Sequence, residues 1–353
     1  MKIKLTCFVV AAALILMSET SSAKLLPGES ITRDPVTGDY TAIYWDEGEA
    51  TDGTIVREIA TSKLTTATKI DPAVTSSMQR IIGGTIRYDY TVANESSAQQ
   101  PINDLFLTGL SPDTNIVGST TLITDRNERM DFFASALSVP NADWYGSGGR
   151  IAGVSKAAIV HWYRNNRNWD MTLGIQSGTS LGGFGFESAD LPGIQVMEVK
   201  GNNGDGRFTG ISSEGGTRDS TISNEMDAIE KNDFVPVNSA APMIAVPTPY
   251  DAAVTLENIQ THVHTWIAKQ LLDATFSAQL DTSFQAAIAA YRANQPQTAI
   301  VQLQTMRTLI KQQQPDADKN DVTPTINLPA PPALIDLLAA RILYFDLGYV
   351  ISH

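Results

Sequence analysis

The spacing of apolar residues changes once along the chain. Up to about Phe234 they come in short runs separated by Gly, Pro and Asp turns, and after Tyr250 they recur every third or fourth residue. The clearest early signal lies in residues 85–94. There Ile86, Tyr88, Tyr90 and Val92 alternate with Arg87, Asp89 and Thr91, which predicts a strand buried on one face. Further strands are predicted at 40–45, 104–108, 157–163, 169–175, 183–187 and 194–199. They are bounded by turn residues at 35–38, Asp52-Gly53, the glycine-rich 146–149, Ser177-Gly178 and Leu191-Pro192-Gly193. No long amphipathic helix interrupts them, so an antiparallel β-sandwich is expected.

Beyond Tyr250 the period is helical. Asp251 is placed to cap a helix carrying Leu256, Ile259, Val263, Trp266 and Leu271, and Asp281 a second carrying Phe284, Ile288 and Tyr291. Pro296 suits the first turn of a third helix that runs through Leu303, Met306 and Ile310, and a fourth is predicted from near Pro332 through 333–348. The expected fold class is therefore β + α multidomain, an antiparallel β-sandwich followed by a C-terminal helical bundle. Its expected divisions are an N-terminal β segment belonging to the sandwich (24–80), the sandwich (81–234), a linker (235–250) and a helical domain (251–353). Pro236, Pro242, Pro247 and Pro249 make that linker read as a semi-rigid connector. The last helix is apolar on nearly every side but contains Asp336, Arg341 and Asp346. Such residues cost ~2.5–3.5 kcal/mol each at a bilayer centre, which favours burial among helices over a membrane span. Arg341 is spaced to neutralise one of the acids.

Residues 1–23 have the layout of a secretory signal peptide: Lys2 and Lys4, an apolar run over 5–17, then Ser21-Ser22-Ala23. Cleavage before Lys24 would give an exported protein, periplasmic or at the cell surface, with no transmembrane span in the mature chain. The single cysteine, Cys7, falls inside the signal. Disulfides, thiol catalysis and cysteine-zinc sites are thereby excluded from the mature chain. A formal charge of −13 gives no general attraction to nucleic acid.

Several segments could carry chemistry. Gly178-Thr-Ser180-Leu-Gly182 has the spacing of a hydrolase nucleophile elbow, but that chemistry needs a helix after the serine, and the strand-like Gly183-Phe-Gly-Phe-Glu187 follows. His262 and His264 lie two apart on a predicted helix and so face different ways, whereas helical zinc sites use residues four apart. His161 reads as a strand residue. Asp316, Asp318 and Asn320 place side-chain oxygens at alternate positions, as the start of a calcium loop does, but Asp321 and Asn327 stand where such a loop wants Gly and Glu. Calcium is the one cofactor these residues suggest. Asp143, Trp144 and Tyr145, flanked by glycines, read as an exposed loop able to present aromatic faces to a ligand. Glu187 and Asp190 are the carboxylates for a hydrolase reading.

Residues 178–194, with Ser-Leu-Gly-Gly-Phe-Gly-Phe-Glu-Ser-Ala-Asp-Leu-Pro-Gly-Ile, are similar to sandwich modules of secreted bacterial proteins. The tail, with Ala286-Ala-Ile-Ala-Ala-Tyr-Arg-Ala-Asn294 and Gln297-Thr-Ala-Ile-Val-Gln-Leu303, resembles the small FIMAH-type helical modules of bacterial surface proteins. The acidic run from Glu225 to Asp233 has no counterpart there. The resemblance implies a non-catalytic extracellular role. The expected function is binding or scaffolding of a protein or glycan partner, with a carbohydrate-binding module as first alternative and a secreted hydrolase as second.

Overall fold

The computed structural model describes residues 25–49, 52–110, 116–118, 120–123, 129–132, 136–151, 158–164, 173–201, 209–210, 217–218, 220–319 and 333–353. Residues 1–23, expected to be a signal segment, lie outside them. In chain order the elements are β1 (Ser30–Arg33), β2 (Tyr40–Glu49), β3 (Ile55–Leu64), β4 (Pro72–Arg80), β5 (Ile86–Asn94), β6 (Ile102–Leu110), β7 (Thr120–Ile123), β8 (Arg129–Phe132), β9 (Trp144–Ile151), β10 (Ala158–Arg164), β11 (Thr179–Ser188), β12 (Leu191–Gly201), β13 (Thr209–Gly210), β14 (Thr217–Arg218), α1 (Ser220–Asn232), β15 (Val235–Ile244), α2 (Ala252–Ala268), α3 (Ala274–Arg292), α4 (Pro296–Gln313) and α5 (Leu337–Ile351). The class is mixed β + α, with three antiparallel sheets and the long helices at the C-terminal end.

The chain divides into two units. One joins the residues up to Lys63 with 208–229, and the other joins 64–207 with 230–353. The first holds the sheet β1-β2-β3-β13, with β14 also on β2. Ala42 and Tyr44 of β2 are buried on one face, as period two requires. Trp45 Nε1 donates to the Pro27 carbonyl at 2.9 Å.

The second unit holds a seven-stranded sheet, β15-β12-β6-β10-β9-β8-β7, and a three-stranded sheet, β11-β5-β4. The alternation in β5 is as predicted: Ile86, Tyr88, Tyr90 and Val92 are all buried. Tyr90 meets Trp162 of β10 with ring centroids 5.5 Å apart, and Phe184 of β11 lies 6.0 Å from the same indole. Tyr88 and Tyr90 donate their hydroxyls to the carbonyls of Asp190 and Ala240, each at 2.8 Å, so neither polar tip is buried unpaired.

Helices α2 to α5 belong to this same unit. Leu256, Ile259, Val263 and Trp266 of α2, Phe284 of α3, Leu303 of α4 and Leu343 of α5 form one continuous apolar core with the strands. Each fully buried side chain of this kind stabilises by ~1.5–3 kcal/mol. Asp251 caps α2, accepting from the Val254 amide, and Pro296 opens α4, both as expected.

The division drawn from the sequence differs from this one in several places. Residues 235–250 were expected to be a linker, but Val235–Ile244 is β15, an edge strand of the seven-stranded sheet paired antiparallel with β12. Proline lacks a donor only on one side, and an edge strand has one side unpaired; Pro236 and Pro242 are accommodated on that account. The helices share their core with the strands, so 251–353 is not a separate domain. The segment 24–80 is divided, with β4 in the second unit. The cap of α3 is Asp273 rather than Asp281, and α5 begins after Asp336 rather than near Pro332.

The acidic run is mostly α1. Its end, Asp233, accepts from Thr66 Oγ1 and the Ala67 amide, both at 2.6 Å. Arg341 does not neutralise Asp346. Its Nε donates to the Asp316 carbonyl at 3.3 Å, while both carboxyl oxygens of the buried Asp346 lack a hydrogen-bond partner. Among the described residues no helix is long and apolar enough to cross a membrane.

Candidate functional site: the outer face of the seven-stranded sheet

Trp144 opens β9 and points inward. It is 3% exposed and meets Phe184 edge-on, ring centroids 4.9 Å apart. The loop expected at 143–149 is therefore a strand, and its tryptophan belongs to the core. Gly146 is there for packing: a Cβ on it would stand 2.8 Å from Leu137 Cβ, closer than side chains tolerate. Asp143 sits just before the strand, its carboxylate 3.7 Å from Arg164 Nη2. Of the three residues singled out, Tyr145 alone faces outward from the strand, 39% exposed.

Strand register places Tyr145 among other chemically active groups. On β9, β10, β6 and β12 every second residue faces away from the core. One row across the sheet reads Ser147, His161, Phe106, Glu198, and the next reads Tyr145, Tyr163, Asp104, Lys200. The rings in these rows stack: Tyr145 on Tyr163 at 5.8 Å, Tyr163 on His161 at 4.7 Å, and His161 on Phe106 at 3.8 Å, with interplanar angles of 26°, 28° and 11°. Lys200 Nζ stands 5.5 Å from the Phe106 centroid. Because each ring covers the face of the next, the row offers its edges to solvent.

Those edges are polar. His161 Nε2 lies 3.0 Å from Asp104 Oδ1, and Nδ1 lies 3.4 Å from Ser147 Oγ. A carboxylate oxygen accepts, so Nε2 is the donor to Asp104, and in the neutral ring Nδ1 is left to accept from the serine hydroxyl. Thr108 Oγ1 donates to Glu198 Oε1 at 2.9 Å. Serine, histidine and aspartate thus form a hydrogen-bonded line, the arrangement that activates a nucleophile when an oxyanion site accompanies it. Here Ser147 lies mid-strand, its backbone paired with β10. It is not at a turn into a helix, where amides converge on one point.

The other residues expected to carry chemistry are scattered. Ser180 lies in β11 opposite Ala93, and the strand continues through Ser188 where a nucleophile elbow would turn into a helix. Asp316 pairs with Lys319 at 2.7 Å and Asp318 with Lys311 at 2.5 Å, so both carboxylates are engaged by ammonium groups; Asn320 lies outside the described residues. His264 contacts Asp281 at 2.7 Å while His262 turns toward β12, the divergence that a two-residue helical spacing requires. Glu187 accepts from Thr85 Oγ1 at 3.4 Å, and Asp190 is 7% exposed.

Sequence reading missed Asp104, Phe106, Ser147, Tyr163, Glu198 and Lys200 as a group, and took His161 alone. The available signal was parity. Within each strand these residues sit at alternate positions opposite to the buried ones, but which strands are neighbours is a property of the fold. In comparisons with known proteins no family model, no curated protein and no solved structure matches the chain.

Proposed function

We propose that the chain is an exported, non-catalytic binding protein whose second unit is a β-sandwich carrying a helical bundle, and whose ligand surface is the outer face of the seven-stranded sheet. The observation that carries this reading is the row of four stacked rings, Tyr145, Tyr163, His161 and Phe106, edged by Asp104, Ser147, Glu198 and Lys200. Mutual stacking holds the rings in place before a ligand arrives, which lowers the ordering cost of binding. Carboxylate, hydroxyl and ammonium groups at alternating positions suit a hydroxyl-rich ligand such as a glycan, which both donates and accepts. Export rests on the signal-like residues 1–23, and the likeness to secreted sandwich and FIMAH-type modules points the same way.

The test is a glycan panel followed by calorimetry with the double variant Tyr145→Ala/Tyr163→Ala. Loss of at least about tenfold in affinity, worth ~1.4 kcal/mol, with an unchanged circular dichroism spectrum supports the reading. A glycan bound equally well by the variant places the ligand elsewhere.

A hydrolase is the second reading, favoured by the Ser147, His161 and Asp104 line. It requires ester hydrolysis and labelling by a fluorophosphonate, both abolished by Ser147→Ala. An unlabelled, inactive wild-type protein removes it.

A further inference from the structure

A concave site lies in the same unit, between β4, α4 and α5, and shares no residue with the rows on the sheet. Its volume is about 480 Å³, within the ~300–1,000 Å³ typical of small-molecule sites. Three arginines line it: Arg80 from β4, Arg307 from α4 and Arg341 from α5. Such convergence is unexpected in a chain of net charge −13.

The guanidinium groups are held in place by rings and hydrogen bonds rather than by contact ion pairs. Arg307 lies over the Tyr344 ring at 3.8 Å from its centroid, and Arg80 over Tyr349 at 5.0 Å. Arg80 also contacts Ser352 Oγ and, at 3.2 Å, His353 Nδ1. Arg307 Nε and Arg341 Nη2 are buried with no hydrogen-bond partner. Among the described residues none of the three arginines forms an ion pair. Asp318, the one carboxylate in the lining, is engaged by Lys311 at 2.5 Å. Leaving donors on a charged group buried and unpaired is costly, and the cost is removed when an oxyanion fills the space, because a guanidinium presents its N–H groups in the fork that carboxylate and phosphate match. Burial acts on Arg341 in the same sense, lowering its pKa, with Asp316 and Asp336 opposing.

The remaining walls define the rest of the ligand. Tyr344, Phe345 and Ile351 are apolar or aromatic, and the volume exceeds what a bare inorganic anion needs. We propose that this cavity binds a small organic anion, an oxyanion head group held by Arg307 and Arg341 with Arg80 at the rim and an apolar or aromatic body against Tyr344 and Phe345.

The experiment is calorimetric titration of the full chain with benzoate and with phenyl phosphate, using benzyl alcohol as the uncharged control. Saturable binding of at least one anion, absent for benzyl alcohol, is expected; which anion binds distinguishes a carboxylate from a phosphate head group. Arg307→Gln/Arg341→Gln should weaken it by about tenfold or more, since hydrogen bonds to charged groups are among the stronger ones. If that variant does not fold, Arg80→Gln at the exposed rim should still weaken binding severalfold. The same constant for the alcohol and the anions, no saturation by either anion, or unchanged affinity in whichever arginine variant folds would overturn the proposal.

Discussion

His262 on α2 accepts a hydrogen bond from the backbone amide of Ile194 on β12, with Nε2 and N 3.1 Å apart. Strand β6 pairs with β12 only from Met197 to Gly201, so Ile194, paired with Ala240 of β15 on one side, has no strand to bond with on the other. Helix α2 supplies the substitute, with Lys269 Nζ donating to the Ile194 carbonyl at 3.3 Å. Gly193 makes the approach feasible, since a Cβ there would stand 2.3 Å from His262 Nε2. A helix thereby closes what would be an open sheet edge.

This contact makes stability depend on pH. His262 must be neutral to accept, and burial, with a smaller contribution from Lys269, pulls its pKa down to about 4. In the unfolded chain it titrates near ~6.5. Between those values the unfolded state binds more protons, so the contribution is complete above about pH 6.5 and is lost as pH falls to and through about 4. The shift corresponds to a contribution of order 3 kcal/mol. Denaturant melts of wild type and His262→Gln across this window should show a distinctly shallower slope for the variant. Equal slopes would mean that the histidine is not buried in this way.

Asp346 predicts the opposite slope. Burial raises its pKa well above the carboxylate range, and neither oxygen has a hydrogen-bond partner. The native state holds the proton that the unfolded chain releases near ~3.9. Stability is therefore fully present below that value and falls as pH rises through the window to the native pKa. Asp346→Asn should remove this loss and raise the melting temperature at neutral pH more than at pH ~4; because it leaves the polar oxygen buried, Asp346→Leu should add a further ~1 kcal/mol or more of unfolding free energy. A drop in stability for both variants at neutral pH would show a bound partner for the carboxylate.

What could be read from the sequence was the part written in local periodicity. Tyr88 and Tyr90 declare their strand because both neighbours of each are polar, and Asp251 declares a helix start because the apolar period begins one turn later. Pro236 and Pro242 misled because proline reports a missing donor, not whether the strand lies at an edge where that donor is dispensable. Trp144 misled because its glycine neighbours were read as loop formers, while Gly146 makes room for Leu137. The candidate site was invisible for a different reason. Ser147, His161 and Asp104 come from three strands, and their proximity exists only once register is set.

The shared core makes the helices indispensable to the strands. Removing residues 252–353 would uncover Ile194, Ala240 and Ala241, which belong to the same apolar cluster as Leu256 and Trp266, and would leave the Ile194 amide without His262. A chain ending at Asp251 is expected to be insoluble or to lose cooperative melting. Conversely, limited proteolysis of the intact protein should spare 235–244, which is paired along its length with β12. Early cleavage within that strand, together with a well-folded truncated chain, would restore the two-domain division.

Adjacent residues at the start of β9 should separate stability from binding. Trp144 is buried against Phe184, and large-to-small changes at such aromatic sites cost ~3–5 kcal/mol; Trp144→Ala should therefore lower the melting temperature strongly and abolish ligand binding only as a consequence of unfolding. Tyr145 is 39% exposed and touches Tyr163 on the other side of the strand. Its loss removes one exposed stacking contact, worth about 1 kcal/mol or less, so Tyr145→Ala should melt near wild type. If the rows on the outer face bind ligand, Tyr145→Ala must weaken that binding while the protein stays folded, and Trp144→Phe, which keeps an aromatic in the core, must leave it intact. The reverse pattern, with binding lost in Trp144→Phe and kept in Tyr145→Ala, would move the ligand surface away from this face.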